Sequence, residues 1–469
     1  MKISTISYQP ETDFIYKIPK TEEKRPQLPV FCEVEDEYVK PEDIPLNRRN
    51  FVYTPCSGNP LFEELKFSTT EYDFNGAGFS LMDRSDDLLL CQGSNRTICV
   101  PASSGWRSGR CEAAIKEGAC YWEVEICNGG SPAIEEPTSI KSLKEKLNST
   151  PHVRLGISRR EASLEAPVGF DSYSYGLRDN CLESVHQGKL SQVLPVQHLK
   201  AGDVVGLLLV LPSVEEQASQ SREYVQIKID ALAEASHRDL SQASSVENPI
   251  KRKTRIMNRE FQKALLLEHD TQNVVRDQIA IRYKNQLFFE TTDYIKTTKP
   301  EYYTSDKRER EEFHTLNNSF LKVFVNGQEV GKAFENLRPF LPPFSELKYN
   351  EKFYFNYWRN GTATTETRSE AKSENLNEHK DSSPGLVSNN VILRNKYVNN
   401  SKLGYYPTVS CFNGGKAKIA TSQEEMRYFD AVQRTMANVM TPEDLFEHQV
   451  ADDVVWDVID EVEAEFLAD

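Results

Sequence analysis

The stretch from Val153 to Leu211 most limits what this chain can fold into. It opens with the apolar run Val153-Arg154-Leu155-Gly156-Ile157 and closes with Gly202-Asp203-Val204-Val205-Gly206-Leu207, running on to Leu211. Both runs have the length and β-branched content of buried strands. Between them lie Ala166-Pro167-Val168-Gly169-Phe170-Asp171, Tyr173 and Tyr175, with Pro167 and Gly169 where a turn needs a fixed and a permissive dihedral. The layout reads as strand, loop, strand. An arginine inside such a pattern needs acceptors for its five donors, so Arg154 and Arg178 are either paired within the fold or presented to something acidic.

The pattern continues on both sides. From Cys120 to Cys127 one face carries Cys120, Trp122, Val124 and Ile126, and the other Tyr121, Glu123 and Glu125, the period of a half-buried antiparallel strand. Short apolar pieces at Phe51–Tyr53, Asp87–Cys91 and Thr97–Val100 are separated by turn clusters such as Ser57-Gly58-Asn59-Pro60 and Asn75-Gly76-Ala77-Gly78. Phe320–Val325 leads into a type I′ turn at Asn326-Gly327, Lys352–Trp358 alternates aromatics, and Tyr405–Phe412 with Lys416–Ala420 supplies closing strands. This spacing predicts an antiparallel β-sandwich over residues 48–421. Polar stretches near 128–152, 213–272 and 360–390 read as loop insertions, and residues 1–47, rich in proline and charge, as an extended arm. Inside the second insertion, Lys251, Arg252, Lys253 and Arg255 head a short amphipathic pattern. It is a solvated helix start, a nuclear import signal or a phosphate contact to nucleosomal DNA, and the sequence leaves these open.

Residues 422–469 change to helical period. Thr441-Pro442-Glu443-Asp444 supplies an N-cap, a proline at N1 and acids in the first turn. Ala451, Val454, Val455, Val458, Ile459, Val462 and Phe466 then recur at three- and four-residue spacing, with carboxylates filling the other positions. No lysine or arginine follows Arg434, which disfavours a membrane-surface helix. The stripe either folds back on its own domain or awaits a partner.

Composition removes several classes. A net charge of −15 over 469 residues makes the whole chain a poor polyanion binder. Nine cysteines, an odd number without a C-x-x-C pair, read as reduced, packed thiols of an intracellular protein, with neither zinc nor disulfides expected. The N-terminus lacks an apolar signal region, and the longest apolar run is too short for a bilayer, so no membrane contact is expected. No nucleophile elbow, paired-histidine motif, Walker loop or dinucleotide fingerprint is present, and 71 carboxylates form pairs by chance. Neither an enzymatic centre nor a cofactor is expected.

Several pieces in order resemble one family. Gly118-Ala119-Cys120-Tyr121-Trp122-Glu123-Val124, Arg154-Leu155-Gly156, Ala166-Pro167-Val168-Gly169-Phe170-Asp171, Ser174-Tyr175 with Arg178, Gly202-Asp203-Val204, Ile281-Arg282-Tyr283-Lys284, Leu287-Phe288-Phe289-Glu290, Phe324-Val325-Asn326-Gly327 and Glu447-His448 with Ala451-Asp452 match its motifs. The chain resembles the SPRY-domain subunits of the Ash-two/Bre-two family of COMPASS histone methyltransferase complexes, in the fungal form. The resemblance implies a SPRY-type sandwich and a nuclear, non-catalytic role beside a SET-domain enzyme that methylates the fourth lysine of histone three. The zinc finger and winged helix of animal members find no ligand set here and are not carried over. An acidic segment of the WD-repeat scaffold subunit would be gripped by Arg154, Pro167, Phe170 and Arg178, with Trp106 and Arg110 as looser matches. Phe170 stands where the family commonly has tyrosine. The apolar stripe would lie in the groove of a small helical dimer, the dumpy-thirty type subunit. The alternative is a SPRY-domain substrate receptor of a ubiquitin ligase, although no RING, B-box or SOCS-type segment is visible.

Overall fold

The computed structural model describes residues 31–35, 38–41, 51–58, 67–69, 77–91, 94–130, 150–241, 263, 278–283, 286–294, 314–342, 344–345, 348–349 and 402–468. In chain order its strands begin with β1 (Phe31–Glu35), β2 (Tyr38–Pro41), β3 (Phe51–Gly58), β4 (Phe67–Thr69), β5 (Phe79–Arg84), β6 (Leu89–Cys91), β7 (Thr97–Cys99), β8 (Arg107–Cys111) and β9 (Gly118–Asn128). There follow β10 (His152–Ser158), β11 (Ser174–Arg178), β12 (Ser184–His186), β13 (Lys189–Ser191), β14 (Val204–Leu211), β15 (Gln278–Tyr283) and β16 (Gln286–Tyr294). The last are β17 (Phe320–Val325), β18 (Gln328–Glu335), β19 (Lys348–Tyr349), β20 (Tyr406–Phe412), β21 (Lys416–Ala420) and β22 (Val439–Met440). The helices are α1 (Val214–Ser241), α2 (Phe429–Gln433) and α3 (Pro442–Ala468).

Two large sheets enclose the core. One has the order β1-β2-β6-β7-β21-β9-β14-β17-β18, with β22 added parallel to β9; the other runs β13-β12-β11-β10-β20-β8-β5. Every other strand pairing among the described residues is antiparallel, as the alternating sequence demands. Val153, Leu155, Ile157, Leu177, Val409 and Cys411 of the second sheet meet Trp122, Val124, Ile126, Val205 and Leu207 of the first, all essentially without solvent contact. Burying each such side chain contributes about 1.5–3 kcal/mol, so this interface carries the fold. A third sheet, β15-β16-β3-β4 with β19 on β16, packs Tyr53 and Phe288 on Met82 of β5. A mainly antiparallel sandwich with a C-terminal helix is thus what the chain forms.

Four details differ from the sequence reading. Within the expected arm, β1 and β2 pair antiparallel, and β2 pairs with β6. The start of the 213–272 insertion is the 28-residue helix α1, which buries Gln217, Ala218, Ser221, Val225 and Ile229. β9 is covered on both faces, because Tyr121 meets Phe429 of α2 at 6.2 Å and Glu123 accepts hydrogen bonds from the Arg427 and Tyr428 amides. The long C-terminal helix starts at Pro442, as the Thr441 cap and Pro442 at N1 predict, but the segment before it, expected to be helical from residue 422, carries only the short α2 and the strand β22 and completes the core with Met426, Phe429 and Val432. The 360–390 insertion, most of 128–152 and the basic residues Lys251, Arg252, Lys253 and Arg255 lie outside the described residues.

Candidate functional site

On β10 and β11, Arg154 stands directly opposite Arg178. Their neighbours Val153, Leu155 and Leu177 point into the core, so both arginines leave from the outer face of the sheet. Like charges opposed across a ladder repel, and only one of them is answered locally. Arg178 Nη1 is 2.5 Å from Glu183 Oε2. The Arg154 guanidinium lies over Trp106, 4.9 Å from the ring centroid, and its Nε is buried without a hydrogen-bond partner among the described residues. Burial, then the Arg178 charge, pushes the Arg154 pKa down to about 10, against the pull of Asp179 and Glu183. A buried donor lacking an acceptor beside a second cation is a site suited to a carboxylate.

A row of flat groups backs this pair. Trp106 stacks on Phe412 at 5.2 Å and Phe412 on His152 at 6.5 Å. His152 Nδ1 is 3.2 Å from Asp179 Oδ1, while Asp179 Oδ2 accepts from the amides of Gly130 and Val153, each at 2.7 Å. The stack is therefore fixed to the backbone rather than resting loosely on it.

The loop bearing Pro167 and Phe170 is fastened over the same outer face. Ser108 Oγ donates to the Ala166 carbonyl at 2.7 Å, the Val168 amide donates to Ser410 Oγ at 2.9 Å, and the Gly169 amide donates to Ser174 Oγ at 2.9 Å. Gly169 has φ +87°, and a Cβ there would collide with the Val185 carbonyl, so only glycine fits this approach. The Val168 backbone rests on Gly176, two residues along β11 from Arg178. This leaves Pro167 half-buried and Phe170 40% exposed.

Trp106, Arg154, Pro167, Phe170 and Arg178 thus share one outer face. Arg110 does not belong with them. It is 1% exposed beneath the 159–173 loop, where its guanidinium meets Asp83 Oδ1 at 2.5 Å, Ser158 Oγ at 3.0 Å and the carbonyls of Arg160 and Ala162. All of its bonding capacity faces inward, so it ties the loop to the sheet and cannot grip a partner. The supporting residues His152, Asp179, Ser410 and Phe412 escaped the sequence reading, because nothing in their spacing marks them as neighbours of Arg154.

The second candidate surface is α3. Its cap is a reciprocal box: the Asp444 amide donates to Thr441 Oγ1 at 3.2 Å and the Thr441 amide to Asp444 Oδ2 at 2.8 Å. Glu443 Oε2 accepts from the Ala77 amide at 2.8 Å and from Arg96 Nη2 at 3.1 Å, which locks the first turn to the sandwich. Phe446 is buried, and Leu445 and Val450 pack on the core. Beyond them one side of the helix still faces the sandwich, with Asp453 Oδ2 3.6 Å from Lys402 Nζ and Trp456 half-buried, while the other side faces solvent. Val454, Val455 and Val458 are more than half exposed, Ile459 is 38% exposed, and Ala451 is exposed too. The side chains of Val462 and Phe466 lie outside the described set.

Among the described residues no cluster of three or more histidine, cysteine, aspartate or glutamate side chains could hold a metal ion, and no helix is long and apolar enough to cross a membrane. No family model matches the chain. The COMPASS component BRE2 of Saccharomyces cerevisiae is 47% identical over 505 aligned positions that cover 99% of each chain. The chain belongs to the BRE2 family. The Set1 complex component ash2 of Schizosaccharomyces pombe is 26% identical across 93% of this chain and 50% of its own length. Among solved structures, the SPRY domain of human HERC1 overlaps 75% of this BRE2-family chain and 100% of its own, with a TM-score of 0.28 and 11% identity.

Proposed function

We propose that this chain is a nuclear, non-catalytic regulatory and scaffolding subunit of a COMPASS-type complex that methylates the fourth lysine of histone three. The reading rests on near-complete overlap with the yeast COMPASS component. The geometry supplies the means, and one observation carries it: Arg154 Nε is buried, lacks an acceptor and faces a second arginine. Arg154 and Arg178 hold carboxylates of an acidic segment on the WD-repeat scaffold subunit, while Trp106, Pro167 and Phe170 supply flat apolar surface that excludes water. The exposed stripe of α3 from Ala451 through Val454, Val455, Val458 and Ile459, continued in sequence by Val462 and Phe466, lies in the groove of the small dumpy-thirty type dimer. With the SET-domain enzyme on another chain, this subunit raises activity by holding the assembly in its productive arrangement.

Affinity capture of the tagged full chain from fungal nuclei, followed by mass spectrometry, tests this. Recovery of a SET-domain protein with a WD-repeat scaffold supports it. Recovery of cullin or other ubiquitin-ligase components instead would replace it with a substrate-receptor role.

A further inference from the structure

Nine large hydrophobic side chains are exposed among the described residues, and eight of them fall into two groups. Four lie on α3 (Val454, Val455, Val458, Ile459). The other four, Phe170, Leu190, Val193 and Val196, lie around β13, the terminal strand of the seven-stranded sheet. Scattered exposed hydrophobics need no explanation, but a cluster on a sheet edge does.

The edge is open for a definable reason. β12 and β13 are joined by a two-residue turn at Gln187 and Gly188, both with positive φ (+56° and +67°), between the paired residues His186 and Lys189. Counting along the ladder, His186 and Lys189 form a hydrogen-bonded pair and Val185 with Leu190 a non-hydrogen-bonded one. The Leu190 N–H and C=O therefore point away from β12, where no other described strand pairs with them. A short edge bearing a lysine is the usual device against unwanted pairing, yet Leu190 at 55% exposed and Val193 at 58% work against that device.

Charge and position select the occupant. From Ser184 to Gly202 there is no aspartate or glutamate, while Lys189 and Lys200 are exposed, in a chain whose net charge is −15. Leu190 is opposite Val185, which is opposite Gly176 on β11, so its side chain leaves from the same outer face as Arg178. The Gly169 carbonyl accepts from the Gly188 amide at 3.0 Å, which sets Phe170 beside the turn into β13. Two strand spacings and two residues of rise separate Leu190 from Arg178, roughly 12 Å, a span covered by about four extended residues.

We propose that the free edge of β13 takes an extended peptide as an added strand, and that this peptide is the apolar continuation of the acidic segment held by Arg154 and Arg178. The inference rests on the arginine pair being an acidic-peptide site. The peptide's alternate apolar residues cover Leu190 and Phe170, and its backbone pairs with the Leu190 N–H and C=O.

The test uses the full chain and fluorescein-labelled synthetic peptides in anisotropy titrations at low salt. One probe is six glutamates; the others carry, on either end, a Gly-Ser spacer and a Val-Thr-Val-Thr-Val tail. At least one tailed probe is expected to bind about tenfold tighter than the six glutamates alone. N-methylation of the tail amides, or Leu190→Pro, which removes the outward N–H, should abolish that gain. Leu190→Pro should not alter binding of the six-glutamate probe, which has no tail. Arg154→Ala should weaken all probes. Equal binding of tailed and untailed probes, or a gain that survives both N-methylation and Leu190→Pro, overturns the added strand while leaving the arginine site standing. Six-glutamate binding that ignores Arg154→Ala overturns both.

Discussion

Two arginines of the seven-stranded sheet, on β8 and β10 with β20 between them, show how placement decides role. Arg110 is enclosed and saturated with acceptors, including Asp83. Arg110→Met should therefore destabilise the fold by about 3–5 kcal/mol, because buried Asp83 loses the cation that contacts it and the loop carbonyls lose their donor; denaturant unfolding measures it. Trp106 covers Arg154, but no acceptor completes it. Its depressed pKa means the fold gains little from its charge, so its removal should cost stability little. His186 is a third case. It stacks on Tyr175 at 4.1 Å, its Nδ1 is 2.9 Å from the Ser174 carbonyl, and burial pushes its pKa down to about 4. A cationic acid with a depressed folded pKa is neutral in the native state, so its contribution is present above pH 6.5 and is lost as pH falls towards 4. We expect His186→Phe to remove roughly 2–3 kcal/mol of the acid-induced loss of stability across that window, read from urea midpoints at successive pH values. An unchanged pH slope would show that His186 does not titrate there.

At the scale of elements, α3 is two structures in one helix. One side belongs to the sandwich, through the Thr441 cap, the Glu443 contacts, buried Phe446 and, further on, Asp453 on Lys402 and half-buried Trp456; the side bearing Val454, Val455, Val458 and Ile459 faces outward. Phe446→Ala should lower stability by about 3–5 kcal/mol, whereas Val458→Glu should leave the melting curve where it was and abolish capture of the small dimeric partner. A lowered melt for Val458→Glu would place the stripe on its own domain. The sequence made α3 legible because a β-branched stripe against carboxylates gives strong contrast. It did not make α1 legible, since its buried face is Gln217, Ala218, Ser221, Val225 and Ile229, too polar to stand out. The absence of glycine and proline from Val214 to Ser241 was the available signal. β9 looked half-buried for a similar reason: Tyr121 and Glu123 are amphipathic, and only tertiary structure reveals that α2 and its flanks cover them. Arg154 and Arg178 stood out in the sequence as charges within apolar strand patterns, whereas Phe170, on a loop between β10 and β11, was marked only by the family resemblance. Strand alternation exposes which face a residue takes. It does not say what lies above that face, which is why the loop over Arg110 was not foreseen.

For the whole molecule, the sandwich acts as a frame with separated outlets. The core between the two large sheets fixes the arginine pair on one outer face, and the Arg96–Glu443 contact fixes where α3 departs. Damage to either outlet should leave the frame and the other outlet intact, since none of the described outlet side chains is fully buried in the core. The central claim is that Arg154 and Arg178 serve a partner and not the fold. The most direct measurement pairs a thermal melt of the purified subunit with capture of the WD-repeat scaffold subunit, for the parent chain and for Arg154→Ala. The account predicts at least a tenfold loss of capture with a melting temperature shifted by no more than about 2 °C. Full capture, or a melting temperature that falls in step with capture, would contradict it.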